Sequence, residues 1–201
     1  KLIGALKKFM AENDIRPYNE QTGQGVIRHL VARELTGCIM VTLVINCDFL
    51  DCTGFAEELK NLFTCFGLYL NVNKEDTNVI TGDKYIYVCG ERKLKDSYNG
   101  LKIEVGPGSF LQVNNSVKDK LYYKVLDQVR SEEQPVCIDA YGGTGILSAL
   151  MAKHASKAYA IEIVDEAIED AEHIKKINNL NGKLEIIHGD CSDELPPLLE
   201  R

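Results

Sequence analysis

Apolar residues recur along this chain with two periods, helical and alternating, and the switches between them mark out the elements. Leu2, Ile3, Leu6, Phe9 and Met10 fall at helical spacing. Arg16-Pro17 is where that helix is expected to stop, because proline lacks a donor and crowds the preceding turn. Residues 26–33 and 38–46 read as two β segments, with Glu34-Leu-Thr-Gly37 as the tight turn of a hairpin. Phe55, Leu59, Leu62 and Phe63 form a second helical face within 55–65, and a strand follows at 68–72. Short strands are expected at 79–80, 84–89 and 101–105, separated by Gly or Asn turns. The first part of the chain is therefore a small α+β domain, 1–107, and Gly106-Pro-Gly108 marks its end.

Beyond that break the pattern changes. Ser116 and Asp119 make an S-x-x-D capping signal ahead of a helix whose expected buried stripe is Val117, Leu121, Val125 and Val129. Strands at 136–140, 158–163 and 184–188 then alternate with helices at 145–155 and 165–178, the second closed by Asn181-Gly182. That order defines an α/β segment, 108–201, with the parallel sheet of a Rossmann-like domain. Such a sheet needs strands on both sides of its ligand crevice, and few residues follow Asp190. The chain is therefore expected to be part of a longer protein, its Rossmann-like domain truncated at the C-terminal end.

The chemistry is concentrated where the first of these strands ends. Val136-Cys-Ile-Asp-Ala-Tyr-Gly-Gly-Thr-Gly145 joins an apolar strand to an acid, a glycine-rich turn and the next helix without a linker. Glycines there let a ligand approach main-chain N–H groups without meeting Cβ atoms. Glu162 ends the second strand, the place where such folds keep a carboxylate for ribose hydroxyls. The register from Gly143, G-T-G-I-L-S, puts Ser148 where the dinucleotide fingerprint wants Gly or Ala. The arrangement is instead D-x-x-G-G-T-G, led by Asp139. It suits S-adenosylmethionine, which has no pyrophosphate to seat but carries an ammonium group that acidic residues attract. A nicotinamide or flavin dinucleotide, or a glycine turn without a ligand, are the alternatives.

Composition narrows the setting. The formal net charge of the 201 residues is −7, and most of it lies beyond Val105. A domain that grips nucleic acid by its phosphates is normally basic, so much of any RNA contact would come from elsewhere. Seven cysteines without a C-x-x-C pair argue against a disulfide framework or a zinc site, and point to free thiols in a reducing cytoplasm. The longest apolar run, 38–45, is of strand length, so no membrane association is expected.

Two motifs carry a family resemblance. Phe110-Leu-Gln-Val-Asn114 followed by Asp139-Ala-Tyr-Gly-Gly-Thr-Gly145 resembles the RNA uracil-C5 methyltransferases, S-adenosylmethionine-dependent enzymes that make 5-methyluridine. Arg28 to Arg33 with Thr36-Gly37, Met40 to Val44, Asn78-Val-Ile80 and Tyr98-Asn-Gly100 are similar to that family's central domain, so the resemblance covers nearly the whole chain. It implies a class I (Rossmann-like) methyltransferase domain and a cytoplasmic enzyme acting on RNA, ribosomal RNA before tRNA. Gln112, Tyr141, Gly143, Gly145, Glu162 and Asp190 would bind the cofactor, Glu162 at the ribose and Asp190 beside the adenine. Phe110 and Gln112 would lie near a uracil flipped out of its stack. Two positions depart from the family: Gly142 stands where it usually has Cys, and Ile146 where a polar residue is common. The family's D-P-P-R motif, nucleophilic cysteine and general base would fall downstream, so no catalytic residue is assigned in this chain and no methyl transfer is expected from it alone. A scaffold that keeps the fold without catalysis, and a dinucleotide oxidoreductase, are the rival readings. In the blander reading of single residues, Phe110 is a core aromatic, Gln112 satisfies backbone groups, Glu162 is a solvated strand-end acid, and Asp190 belongs to a Gly-Asp turn.

Overall fold

The computed structural model describes residues 1–110, 112 and 114–200; Leu111 and Val113 of the F-x-Q-V-N motif lie outside the described residues. The chain divides into two compact units, Lys1–Lys95 and Asp96–Arg201. Sequence alone puts the break at 107/108, and the structure draws it earlier for a clear reason. The hairpin of β5 (Leu94–Tyr98) and β6 (Leu101–Val105) turns on Asn99 and Gly100, both at positive φ. Its β6 strand is bonded to a helix of the second unit, through Lys102 to Asn178 and Glu104 to His173.

In the first unit a sheet of order β1-β2-β3-β4 carries helices α1 (Leu2–Glu12) and α2 (Thr53–Leu62). The hairpin of β1 (Ile27–Leu35) and β2 (Cys38–Ile45) turns on Thr36 and Gly37, both with positive φ, the backbone that two-residue hairpin loops require. β2 pairs in parallel with β3 (Phe66–Val72), which pairs antiparallel with β4 (Lys84–Gly90). Phe9, Leu43, Phe55, Leu59, Leu68 and Leu70 are among the buried residues of the helix-on-sheet core. α1 ends at Glu12, before Pro17, because Asn13 caps it with both backbone and side-chain N–H on the Phe9 carbonyl.

Three expectations need correction in this part of the chain. Val79 and Ile80 form no strand; they are exposed, and their carbonyls accept from the buried Asn73 side chain. β5 goes unread because Lys95 and Asp96 break its apolar alternation. Cys38 and Cys65 form a disulfide, Cα–Cα 4.6 Å, at the entrance to the parallel β2–β3 pair, where free thiols are expected from sequence.

The second unit holds a parallel sheet of order β7-β8-β9, formed by β7 (Val136–Asp139), β8 (Lys157–Glu162) and β9 (Leu184–His188). Helices α3 (Asn115–Ser131), α4 (Ile146–Ala152), α5 (Asp165–Ile177) and α6 (Cys191–Leu199) alternate with the strands. α3 is capped by Asn114, whose side chain accepts from Val117 N, and not by Ser116. Its buried residues are Tyr122, Leu126 and Val129, whereas Val117 and Leu121 are exposed. Val129 lies where the expected stripe puts it, and the rest of the buried face falls one residue later, at Tyr122 and Leu126 in place of Leu121 and Val125. Among the described residues no helix is long and apolar enough to cross a membrane.

Candidate functional site: the glycine turn after β7

β7 delivers Asp139 to the C-terminal edge of the sheet, and the turn 140–145 carries the chain from there into α4. Gly142 donates to Ile161 O and Gly145 to Gly142 O, so the turn folds back on β8. A Cβ on Gly142 would lie 2.9 Å from Ala160 Cβ, and one on Gly145 would lie 2.8 Å from Ala171 Cβ. The family's larger residue at 142 would need Ala160 to give way. Gly143, at φ +52, has open space where its Cβ would be, so this glycine serves backbone conformation and leaves its surface bare.

Glu162 holds the turn from the opposite side. Its Oε2 accepts from Gly143 N at 2.8 Å, and its Oε1 accepts from Ile163 N and Val164 N at 2.8 and 2.9 Å. A carboxylate fixed by three main-chain donors has one orientation, and it remains partly accessible. Asp139 is more enclosed. Burial pushes its carboxyl above the ordinary carboxylate range, opposed by hydrogen bonds from the Ser148 hydroxyl (2.7 Å) and the Tyr141 backbone.

Two adjoining hollows share Tyr141. One, of about 170 Å³, is lined by residues that include Phe110, Gln112, Leu121, Asp139, Tyr141 and Gly143. The other, of about 60 Å³, is lined by residues that include Tyr141, Glu162, Ile163, Asp190 and Cys191. Phe110 is 69% and Tyr141 84% exposed, so neither aromatic is spent on the core. Gln112 is exposed as well. Asp190 caps α6, its Oδ1 accepting from Ser192 N at 2.8 Å, which holds its carboxyl below the usual range.

Of the residues singled out by sequence, Phe110, Gln112, Tyr141 and Gly143 meet at the first hollow, and Tyr141, Glu162 and Asp190 at the second. Gly145 lines neither and instead lets α5 approach the turn. Asp139, the acid that leads the D-x-x-G-G-T-G motif, also lines the first hollow. Thr144 lines the first hollow with no sequence signal beyond its place in the turn. Burial raises the thiols of Cys47, Cys89 and Cys137 and lifts that of Cys52 to about 12, which makes these four poor nucleophiles.

A parallel sheet with a glycine turn after its first strand and an acid closing its second makes a Rossmann-like domain. Its solved likenesses include Pyrococcus abyssi tRNA (uracil-54, C5)-methyltransferase in complex with S-adenosyl-L-homocysteine, at TM-score 0.74 and 26% identity, over 92% of this chain and 45% of that one. M. jannaschii tRNA m1G37 methyltransferase shares the fold at TM-score 0.53 and 20% identity, over 92% of this chain and 53% of that one. No family model matches the chain.

Curated relatives are closer in sequence. Proteins named uncharacterized RNA methyltransferases match at 34% identity over 100% of this chain in Clostridium acetobutylicum, and at 35% over 98% in Caldanaerobacter subterraneus. The chain belongs to this RNA methyltransferase family and spans 44% of the length of each of those two relatives.

Proposed function

We propose that this chain is the central domain and the cofactor-binding half of the catalytic domain of an enzyme that methylates C5 of a uridine in RNA, with S-adenosylmethionine as donor. The observation that carries the reading is the pinned turn, Glu162 on Gly143 N with Asp139 enclosed beside it. In this assignment the ribose lies against Glu162, the adenine beside Asp190, and the methionine end near Asp139 and Gln112. The cofactor supplies an electrophilic methyl group on a sulfonium. The chain's own residues bind and orient it: the Asp139 carboxylate attracts its ammonium group, and the bare surface of Gly143 admits its backbone. Phe110, exposed at the rim of the same hollow, offers a face on which an extruded pyrimidine can stack. The P. abyssi likeness is named for a tRNA uracil. We place the substrate in ribosomal RNA, with tRNA as the alternative, and the enzyme in the cytoplasm.

The test is methyl transfer by the full-length protein that carries this chain. With methyl-labelled S-adenosylmethionine and unmodified rRNA and tRNA transcripts, the expected labelled nucleoside is 5-methyluridine, in rRNA. Label in tRNA alone would move the substrate, and label in another nucleoside would overturn uracil C5. Absence of any label would favour the non-catalytic scaffold.

A further inference from the structure

One face of α5 is bonded along its length to β6 and to the turn that follows it. Asn178, at the helix end, accepts from Lys102 N and donates to Lys102 O, both at 2.8 Å, as a strand partner would. His173 Nε2 meets Glu104 Oε2 at 2.8 Å. Asp170, only 3% exposed, accepts from Gly106 N at 2.7 Å and from the Ser109 hydroxyl, which is itself buried. Immediately after Ser109 the chain reaches Phe110 and Gln112, the two residues it contributes to the larger hollow. The other end of α5 starts just past Glu162, the acid that holds the glycine turn. A single helix thus starts beside one wall of the site and is bonded to the turn that leads into the other.

We propose that Asp170 is a positioning residue: by holding Gly106 and Ser109 it fixes where Phe110 and Gln112 stand against the cofactor hollow. It touches neither cofactor nor RNA. A carboxylate is expensive to bury unless donors surround it, and here donors come from both ends of the Gly106–Ser109 turn. Loss of the carboxylate strands those donors and frees the turn, while the β7–β9 sheet, which Asp170 does not enter, keeps its pairing. The assignment rests on the cofactor reading, but the state of the turn can be measured without any ligand.

The test combines amide hydrogen exchange with titration of S-adenosylhomocysteine on Asp170→Ala, Asp170→Asn and Ser109→Ala. Asp170→Ala is expected to speed exchange across 106–112 by roughly tenfold or more, with strands 157–162 and 184–188 as protected as before. Affinity for S-adenosylhomocysteine should fall several-fold, and Asp170→Asn, which keeps one acceptor oxygen, should recover part of both losses. Unchanged exchange across 106–112 in a folded Asp170→Ala variant overturns the proposal. If that variant does not fold, Ser109→Ala decides by the same readout, because it removes the hydroxyl that Asp170 accepts from. Were the unaltered chain to bind no S-adenosylhomocysteine, the cofactor reading would fall, and the exchange data would still judge the turn.

Discussion

Asp139 and Glu162 are both carboxylates at strand ends, yet their surroundings give them opposite costs. Glu162 is satisfied by three main-chain N–H groups, whereas Asp139 is enclosed with its carboxyl pushed up by burial. Because the native carboxyl of Asp139 holds its proton more readily than the unfolded chain does, its contribution to stability falls as pH rises from the ordinary value of 3.8 through the raised one. Asp139→Asn should therefore raise the melting temperature at neutral pH while weakening S-adenosylhomocysteine binding, opposite signs that a purely structural acid would not show. Wild-type affinity should also decline as pH is lowered from neutral toward that raised value, and titrations of both proteins at successively lower pH would reveal it. An Asp139→Asn variant that binds as tightly as wild type would remove Asp139 from the ammonium site. Glu162→Ala should cost about 1.5–3 kcal/mol of cofactor affinity through lost charge-assisted hydrogen bonds, measured by calorimetry. An unchanged dissociation constant would take Glu162 out of the site. The place of Glu162 beside the glycine turn was legible in the sequence because chain order puts it at the end of an apolar strand. Asp170 was not, since nothing in a helical Glu-Asp-Ala run says which acid will be buried against a distant serine.

At the scale of elements, the period of apolar residues located the helices and most strands, and it failed where polar bonding replaces burial. Val79-Ile80 looked like a strand because both are β-branched or aliphatic, but buried Asn71 and Asn73 hold that segment as a loop through Gly82, Val79 and Ile80. The start of α3 was mistaken because two capping residues, Asn114 and Ser116, lie close together and only geometry chooses between them. Asn114→Ala should cost about 1 kcal/mol of stability in denaturant unfolding, while Ser116→Ala should cost less. The reverse order would restore the sequence-based cap. The cysteine pairing was illegible because the residues are 27 apart and meet only through the parallel pairing of β2 with β3. Cys65→Ser should lower the stability of the first unit by about 3 kcal/mol, through chain entropy returned to its unfolded state. Equal unfolding curves for the variant and the oxidised protein would contradict that.

Across the whole molecule, chain order and fold point to one class of chemistry, and the comparisons agree at the level of RNA methyl transfer. The acidic balance of the second unit suits a ligand with a positive sulfonium and ammonium better than one with a pyrophosphate. That contrast makes the most direct test a pair of calorimetric titrations on this chain, with S-adenosylhomocysteine and with NADH. We expect saturable binding of S-adenosylhomocysteine that Glu162→Ala weakens, and no heat of binding from NADH. Saturable binding of NADH alone would contradict the methyl-donor site.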